Sequence, residues 1–355
     1  MKDFIKLIGW LCLLPVLTGC SNDEDVSGTP EASDLPILVS LAQDKQSGSS
    51  RATIFEEGDD LKDVSKGGGN FHLNAYYLET GKAPQIYLNN AQVKYFPESE
   101  GAIPWLFFDA GKNDTYKAYW PKNGVLDFFA YMPYNAPAYI SNPGYTQAGG
   151  PTFTASLPSA VNIDADATQE FIYAYRKEMT PQSELDAKKR VEMKFVHPFA
   201  VVYFELIQSK RLNPLATIEF QYIYHQGTFA NATDTKNGTV TGGWGSYQDP
   251  KTNYTITINK KIPEDINFNT VFAGPFLVIP QSINGVNMKL KGTDAGGAAY
   301  ESTPTPIYTE AVKSWLPGKK YTYSLKLEDP GEEILFNVKV EDWEIIEYDN
   351  IVNVE

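Results

Sequence analysis

The most specific chemical signal in this chain is a single cysteine near its start. Cys20 follows Leu17-Thr18-Gly19, and a basic start precedes an apolar run over residues 4–17. Small residues directly before a cysteine suit a lipoprotein signal peptidase, and the thiol is the atom that takes the acyl chains. The sequence therefore predicts a signal peptide over residues 1–19 and lipid on Cys20. A plain secretory peptide with an incidental cysteine is the alternative.

A second candidate for chemistry is a peptide bond that a protease could reach. Residues 44–51 are polar, rich in glycine and serine, and end in Arg51 and Ala52. Such a composition cannot bury enough apolar surface to order itself strongly. The apolar segment 36–43 precedes it and has the residue types of a strand, with Pro36 at its first position. We expect either a strand on a cuttable loop or an ordinary first strand followed by a surface loop.

Residues suited to catalysis or metal binding are sparse. The histidines are His72, His197 and His225, none of which has zinc-type spacing, and Cys12 would leave with the signal peptide. We expect His72 on the polar face of its strand and His197 at a bend before Pro198. No nucleophile-elbow or phosphate-loop motif is present in the sequence. The sequence predicts no enzyme, no metal and no cofactor.

Composition limits the class of protein further. The chain has 355 residues, a formal net charge of −14 and two cysteines. This length suits about two domains of roughly 150 residues each. With Cys12 removed and Cys20 acylated, packing alone would have to hold those domains together. So acidic a surface argues against nucleic acid as a partner.

Short apolar and aromatic runs separated by turn signals extend through most of the chain. Phe71, Leu73 and Ala75 alternate with polar residues, as in a half-buried strand. Turn residues at Asn89-Asn90 and Asn123-Gly124 predict two hairpins. The pattern indicates an all-β protein of sandwich type. The predicted parts are a flexible tether over 20–34, an N-terminal sandwich over 35–188 and a C-terminal sandwich over 189–355.

Several blocks in this order resemble the fimbrillin family. They span nearly the whole chain after the anchor: Arg51-Ala52-Thr53, Asn70 to Tyr77, Tyr119-Trp120-Pro121 with Leu126 to Pro133, Val191 to Val202, Phe276 to Gln281, Trp315 to Leu325 and Val338 to Trp343. The resemblance implies two transthyretin-like β-sandwiches in tandem. It also implies export as a lipoprotein to the outer face of the outer membrane, attached through Cys20.

The resemblance further implies assembly by strand exchange. In polymerising members a protease cuts after a basic residue, which matches Arg51, and the first strand leaves. The matching segment 36–43 contains Ile37, Leu38, Val39 and Leu41. A strand from another fimbrial subunit then fills the groove. The candidate donor is 345–354, with Ile345, Ile346, Ile351 and Val352, unless that segment completes its own domain. The implied role is a fimbrial subunit used in adhesion or biofilm formation.

Three alternatives remain open at this point. The chain could be a non-polymerising anchor or tip member; for an anchor, which keeps its lipid and escapes cleavage, Arg51 would be incidental. It could be a lipid-anchored glycan-binding protein that stacks sugars on Trp105 and Trp244. It could also be a hydrolase with two carboxylates in one pocket, roughly 5–10 Å apart.

Overall fold

The computed structural model describes residues 30–41, 61–62, 64, 68–96, 104–146, 148–163, 169–183, 185, 189–209, 212–240, 242–248, 250–260, 268–294, 296–327 and 334–343. In these ranges the chain forms strands and turns. The strands of its first half are β1 Ala32–Pro36, β2 Val39–Leu41, β3 Asn70–Leu78, β4 Gln85–Tyr95, β5 Trp105–Asp109, β6 Asp114–Tyr116, β7 Tyr119–Pro121, β8 Val125–Met132, β9 Ile140–Thr146, β10 Gly150–Ser156, β11 Ala160–Asn162, β12 Ile172–Met179 and β13 Val191–Met193.

The second half continues in the same way. Its strands are β14 Ala200–Ser209, β15 Leu212–Ile223, β16 Gln226–Ala230, β17 Gly243–Gly245, β18 Thr252–Lys260, β19 Val271–Val278, β20 Gln281–Ser282, β21 Asn287–Asp294, β22 Ala299–Glu301, β23 Thr305–Pro306, β24 Ser314–Trp315, β25 Lys319–Leu327 and β26 Leu335–Asp342. The prediction of an all-β protein is confirmed. Within the described ranges no helix is long and apolar enough to cross a membrane.

A six-stranded antiparallel sheet organises the first half, in the order β12-β8-β3-β4-β5-β6. The predicted alternation in β3 sends Phe71, Leu73 and Ala75 into one core, together with Phe128 of β8 and Trp105 of β5. Because successive side chains on a strand point to opposite faces, this core occupies one side of the sheet only. We call it the N-terminal core.

Two sheets enclose a second core in the other half of the chain. One has the order β11-β18-β15-β21-β22, with β23 also on β21, and the other has the order β19-β14-β25-β26. Apolar side chains such as Ile218, Ile256 and Tyr323 meet between them. Sheet facing sheet around an apolar layer is the arrangement of a β-sandwich. We call this layer the C-terminal core.

A third core joins the two halves. It packs Phe129, Tyr173 and other residues from the second face of the N-terminal sheet against Val201 of β14 and Phe229 of β16. A four-stranded sheet, β17-β16-β10-β9, contributes its own apolar residues to the same layer. The N-terminal sheet is therefore covered on both faces. We call this layer the bridging core.

Strand pairing links segments on either side of residue 188. β2 pairs in parallel with β13, and β11 pairs in parallel with β18. Val191 of β13 lies in the N-terminal core, whereas Val161 of β11 lies in the C-terminal core. Two tandem domains divided at 188/189 remain a prediction. In each of the two observed pairs, β2 with β13 and β11 with β18, one strand precedes that boundary and the other follows it.

Both predicted hairpins are wrong. β4 runs through Asn89 and Asn90 as one strand, and the backbone N–H of Asn90 donates to Asn74 Oδ1 at 2.8 Å. The Asn90 φ of 52° marks an irregularity in the β3–β4 pairing instead of a turn. Near Asn123-Gly124, β7 pairs with β1, while β8 pairs with β3 and β12. The turn therefore connects strands of different sheets.

Candidate strand-exchange site

The first described strands lie at the margin of the N-terminal core. The segment predicted as one strand over 36–43 is interrupted, because β1 ends at Pro36 and β2 begins at Val39, and residues 42–43 lie outside the described part of the chain. Residues 32–34 belong to β1, although the sequence placed them in a flexible tether. β1 pairs antiparallel with β7, and β2 pairs in parallel with β13. Each of these sheets has two strands, so β1 and β2 have one partner strand each among the described residues.

The side chains of this segment differ in how deeply they are buried, and Ser40 is buried beside the two apolar residues. Ile37 and Val39 are 2% and 1% exposed and belong to the N-terminal core. Leu38 and Leu41 are half-buried, and Leu35 is 51% exposed. The alternation follows from the two-residue period of extended chain. Two adjacent pockets in the core are thus filled by residues i and i+2 of one short segment.

Backbone hydrogen bonds hold the junction between β1 and β2. The Ile37 N–H donates to the Ala118 carbonyl oxygen at 2.7 Å, and the Val191 N–H donates to the Leu38 carbonyl oxygen at 2.7 Å. The Lys122 N–H donates to the Glu31 carbonyl oxygen at 2.8 Å, and the Lys122 and Glu31 side chains form an exposed ion pair. Exposed pairs contribute little to stability. Removing this segment would leave donors and acceptors open on Ala118 and Val191.

Several predicted site residues lie outside the described part of the chain. They are Cys20, Arg51, Ala52, Ile345, Ile346, Ile351 and Val352, together with the loop 44–51. β26 ends at Asp342, and Trp343 is the last described residue. Trp343 is buried, and its N–H donates to the Gly318 carbonyl oxygen at 2.9 Å. Trp343, the last described residue before the candidate donor segment, is therefore fixed in the bridging core.

The three histidines occupy structural positions. The polar face of β3 on which we expected His72 is itself covered by the bridging core, so His72 is buried. His72 Nδ1 is hydrogen-bonded to the Tyr131 hydroxyl at 2.8 Å, and burial lowers the pKa of His72 to about 4. His197 is buried at the bend before Pro198, with Nδ1 hydrogen-bonded to the Glu170 carboxylate. Burial also lowers the pKa of His225.

The buried carboxylate of Asp127 accepts three hydrogen bonds from groups of the fold. It accepts hydrogen bonds from the hydroxyls of Tyr145 and Tyr175, both at 2.7 Å, and from the Glu178 N–H at 2.6 Å. Burial and this neighbouring charge raise the pKa of both tyrosines. Among the described residues, no group of three His, Cys, Asp or Glu side chains is placed to hold a metal ion.

Neither tryptophan singled out for sugar stacking presents an open ring. Trp105 is buried in β5 and contacts Phe71, with ring centroids 5.4 Å apart. Trp244 is half-buried, and its Nε1–H donates to the Pro198 carbonyl oxygen at 2.6 Å. Phe199 packs against the Trp244 ring at 5.1 Å. Both tryptophans are parts of the packed layers.

Sequence reasoning identified Ile37 and Val39 but missed the residues that receive them. The partners β7 and β13 are three-residue strands, too short to show periodicity in a sequence. Parallel pairing of β2 with β13 joins residues about 150 positions apart, and no local pattern reports such a contact. The alternation of Val191 and Met193 was the only available signal.

Layered β-sheets packed around apolar cores, with a first segment at the margin of one core, define a protein of β-sandwich type. The family model described as fimbrillin-like matches residues 66–343, and the chain belongs to that family. Membership supports a role as a fimbrial subunit at the cell surface. No curated protein matches the sequence.

Several solved structures are similar to this chain, and three of them are described here. One is of a protein proposed to act in cell adhesion from Bacteroides uniformis, with 17% identity, a TM-score of 0.47, and coverage of 78% of this chain and 92% of that one. Another is of a fimbrial protein from Bacteroides vulgatus, with 12% identity, a TM-score of 0.43, and coverage of 77% and 92%. A third is the tip fimbrial protein Mfa3 from Porphyromonas gingivalis, with 13% identity, a TM-score of 0.34, and coverage of 78% and 94%.

Proposed function

We propose that this chain is a structural subunit of a fimbria, assembled when a protease cuts after Arg51 and the segment 36–43 is replaced by a strand of a neighbouring subunit. The observation that supports it best is the seating of Ile37 and Val39. These two side chains fill core pockets from a segment that pairs along one side only. A cut at Arg51 would separate this segment from the rest of its domain.

The energetics of the segment suit exchange. Burying an Ile or Val side chain contributes about 1.5–3 kcal/mol, so the two together hold the segment with a few kcal/mol. Leu35, Leu38 and Leu41 add less because they are exposed or half-buried. An incoming strand with apolar residues at i and i+2 would recover the same burial and would re-pair Ala118 and Val191. Main-chain pairing would supply affinity and the two pockets would supply register.

The candidate donor is the segment 345–354, with Ile345, Ile346, Ile351 and Val352. Its apolar residues include i, i+2 pairs, such as Val352 with Val354, that match the spacing of Ile37 and Val39. The segment begins two residues after Trp343, which the bridging core fixes. A donor strand that follows a tightly packed residue would transmit mechanical force from one subunit to the next.

The anchoring part of the proposal concerns Cys20. Lipid on this residue would hold the precursor at the outer face of the outer membrane, and loss of the segment before Ala52 would release it. Cleavage would then couple release to polymerisation. An anchor member would instead keep its lipid and its peptide bond after Arg51.

The test of assembly uses the purified precursor and an arginine-specific protease. We expect a new N-terminus at Ala52 and a ladder of oligomers on gels run without boiling. The Arg51→Ala variant should stay intact and monomeric. Because Arg176, Arg190 and Arg211 are other possible cut points, N-terminal sequencing must accompany the gel. Clean cutting at Arg51 without oligomers would contradict a polymerising role.

Two further experiments test the donor segment and the lipid attachment independently of the cleavage. A chain truncated after Trp343 should be cut at Arg51 but form no ladder, and a peptide of residues 344–355 added to cut full-length subunits should cap them. Ladders from the truncated chain would exclude this donor. Mass spectrometry of the protein taken from cells should identify lipid-bearing Cys20 as the first residue of an anchor member and Ala52 as the first residue of a processed subunit.

A further inference from the structure

The exposure of the first segment, position by position, defines what a replacement strand needs. We number each position by the residue that occupies it in the uncut chain. Positions 32, 34 and 35 are exposed, positions 33, 36 and 38 are half-buried, and positions 37, 39 and 40 are buried. Positions 32–36 lie along β7, and positions 39–41 lie along β13. A strand that fits must be polar at its start and apolar at positions 37 and 39.

The pairing also sets the direction of the replacement strand. β1 is antiparallel to β7 and β2 is parallel to β13, so a strand that reproduces both pairings runs in the direction of the segment it replaces. Its N–H at position 37 then donates to the Ala118 carbonyl oxygen, and its carbonyl oxygen at position 38 accepts from the Val191 N–H. A reversed strand would present a different pattern of donors and acceptors to both partners.

One alignment of the candidate donor segment matches this exposure profile. With Val352 at position 37, Val354 falls at position 39, so both buried apolar positions receive a β-branched residue. Charged and amide residues fall at the exposed positions, and two larger residues and an amide fall at the half-buried ones. The exposed positions 32, 34 and 35 receive Glu347, Asp349 and Asn350, and the half-buried positions 33, 36 and 38 receive Tyr348, Ile351 and Asn353.

Trp343 excludes the other alignment that puts two apolar residues into the pockets. Ile346 and Tyr348 are also spaced i, i+2, but with Ile346 at position 37, Trp343 would fall at position 34, inside the stretch that pairs with β7 of the neighbour. Trp343 is packed in the bridging core of its own subunit and cannot lie there. With Val352 at position 37, Trp343 falls at position 28, and residues 344–345 connect the subunits.

The same alignment puts an acid where the fold has a serine. Glu355 falls at position 40, where Ser40 is 4% exposed and in register with Glu192 of β13. Register partners on neighbouring strands point to the same face of a sheet, as Val39 and Val191 do in the N-terminal core. Burying one carboxylate beside another is unfavourable. Glu355 is therefore the residue at which the donor fits least well.

We propose that the replacement strand comes from a second copy of this chain, with Val352 in the Ile37 pocket, Val354 in the Val39 pocket and Glu355 beside Glu192. This register rests on the proposed strand exchange and adds the residues that determine it. The two valines supply the burial that Ile37 and Val39 supply in the uncut chain. The acid at position 40 weakens the joint between subunits.

Cysteine pairs in the full-length chain test the register, because a subunit cut after Arg51 has no native cysteine. Tyr119 is in register with Pro36, so Ile351→Cys combined with Tyr119→Cys should give ladders that withstand boiling and collapse on reduction. The control combines Tyr119→Cys with Asn350→Cys, since a slip of one residue turns a side chain to the other face. Ladders linked through the control pair instead would overturn the register.

A second set of variants measures the fit at single positions. Val352→Ala should slow ladder formation about tenfold, because part of a buried side chain is lost. Ile346→Ala is the matched control, since it falls at position 31, which is exposed. Glu355→Ser should speed ladder formation severalfold, because it restores the residue type of position 40.

Equal rates for Val352→Ala and Ile346→Ala, or a slower rate for Glu355→Ser, would overturn the register. These failures are distinguishable from failure of the proposed function. If the cut wild-type chain forms no ladder, strand exchange fails and the register fails with it. If the cut wild-type chain forms ladders that none of these substitutions affects, the register alone is wrong.

Discussion

Trp343 stacks on His197 with ring centroids 3.9 Å apart and planes 12° apart. His197 is in turn hydrogen-bonded to the buried carboxylate of Glu170, which lies two residues before the first residue of β12, the end strand of the N-terminal sheet. The end of β26 is thereby packed against both halves of the molecule. This contact fixes Trp343, the last described residue before the candidate donor segment.

Removing that indole should destabilise the whole molecule. Trp343→Ala should lower the free energy of unfolding by about 3–5 kcal/mol, because a buried aromatic side chain is replaced by a cavity. Urea unfolding followed by circular dichroism measures the change. Leu335→Ala, on the same strand at an exposed position, should shift stability by less than about 0.5 kcal/mol. Equal effects of the two substitutions would contradict the anchoring role of Trp343.

The seating of the first segment makes a prediction for the uncut chain. Ile37→Ala should cost about 2–4 kcal/mol because the side chain is 2% exposed, whereas Leu35→Ala should be nearly neutral. In cut protein, Ile37→Ala should also accelerate loss of the segment, measured by the time course of its appearance in a size-exclusion fraction. If the two variants behave alike, Ile37 does not hold the segment.

Acid should destabilise the fold through His72. Burial lowers the pKa of this imidazole from 6.5 to about 4 in the folded chain, so the unfolded chain binds the proton first. Stability is therefore fully present above pH 6.5 and falls as the pH drops from 6.5 to about 4, by up to roughly 3 kcal/mol. His72→Gln should flatten this part of the pH–stability curve in urea titrations. An unchanged slope in that variant would assign the acid sensitivity elsewhere.

Two glycines separate backbone strain from steric conflict. Gly124 has φ of +75°, and a Cβ there would lie 2.5 Å from Tyr77 Cε2 and 2.7 Å from the Leu78 carbonyl oxygen. Gly81 has a similar φ of +79° but open space around it. Gly81→Ala should cost about 1–2 kcal/mol from strain alone, and Gly124→Ala should cost clearly more. Thermal unfolding of both variants measures the difference, and equal losses would show that Tyr77 moves aside.

The turn at Gly124 illustrates how much a local signal can convey. Asn123-Gly124 correctly marked a bend in the chain, because glycine accepts positive φ at low cost. It did not report which strands the connection joins: β7 pairs with β1, whereas β8 pairs with β3 in the N-terminal sheet. In β3, periodicity identified the buried set Phe71, Leu73 and Ala75. It placed His72 on a polar face but could not show that this face is covered, because the bridging core is assembled from strands far along the chain.

By itself, the sequence determined the all-β class, the family and the strand-forming segment around Ile37 and Val39. Alternation, turn residues and local apolar runs are properties of neighbouring residues, so they can be read without coordinates. Tertiary structure decided the parallel pairing of β2 with β13, the covering of both faces of the N-terminal sheet and the packing of Trp343 on His197. These contacts join residues distant in sequence, and their burial depends on which surfaces meet once the sheets have formed.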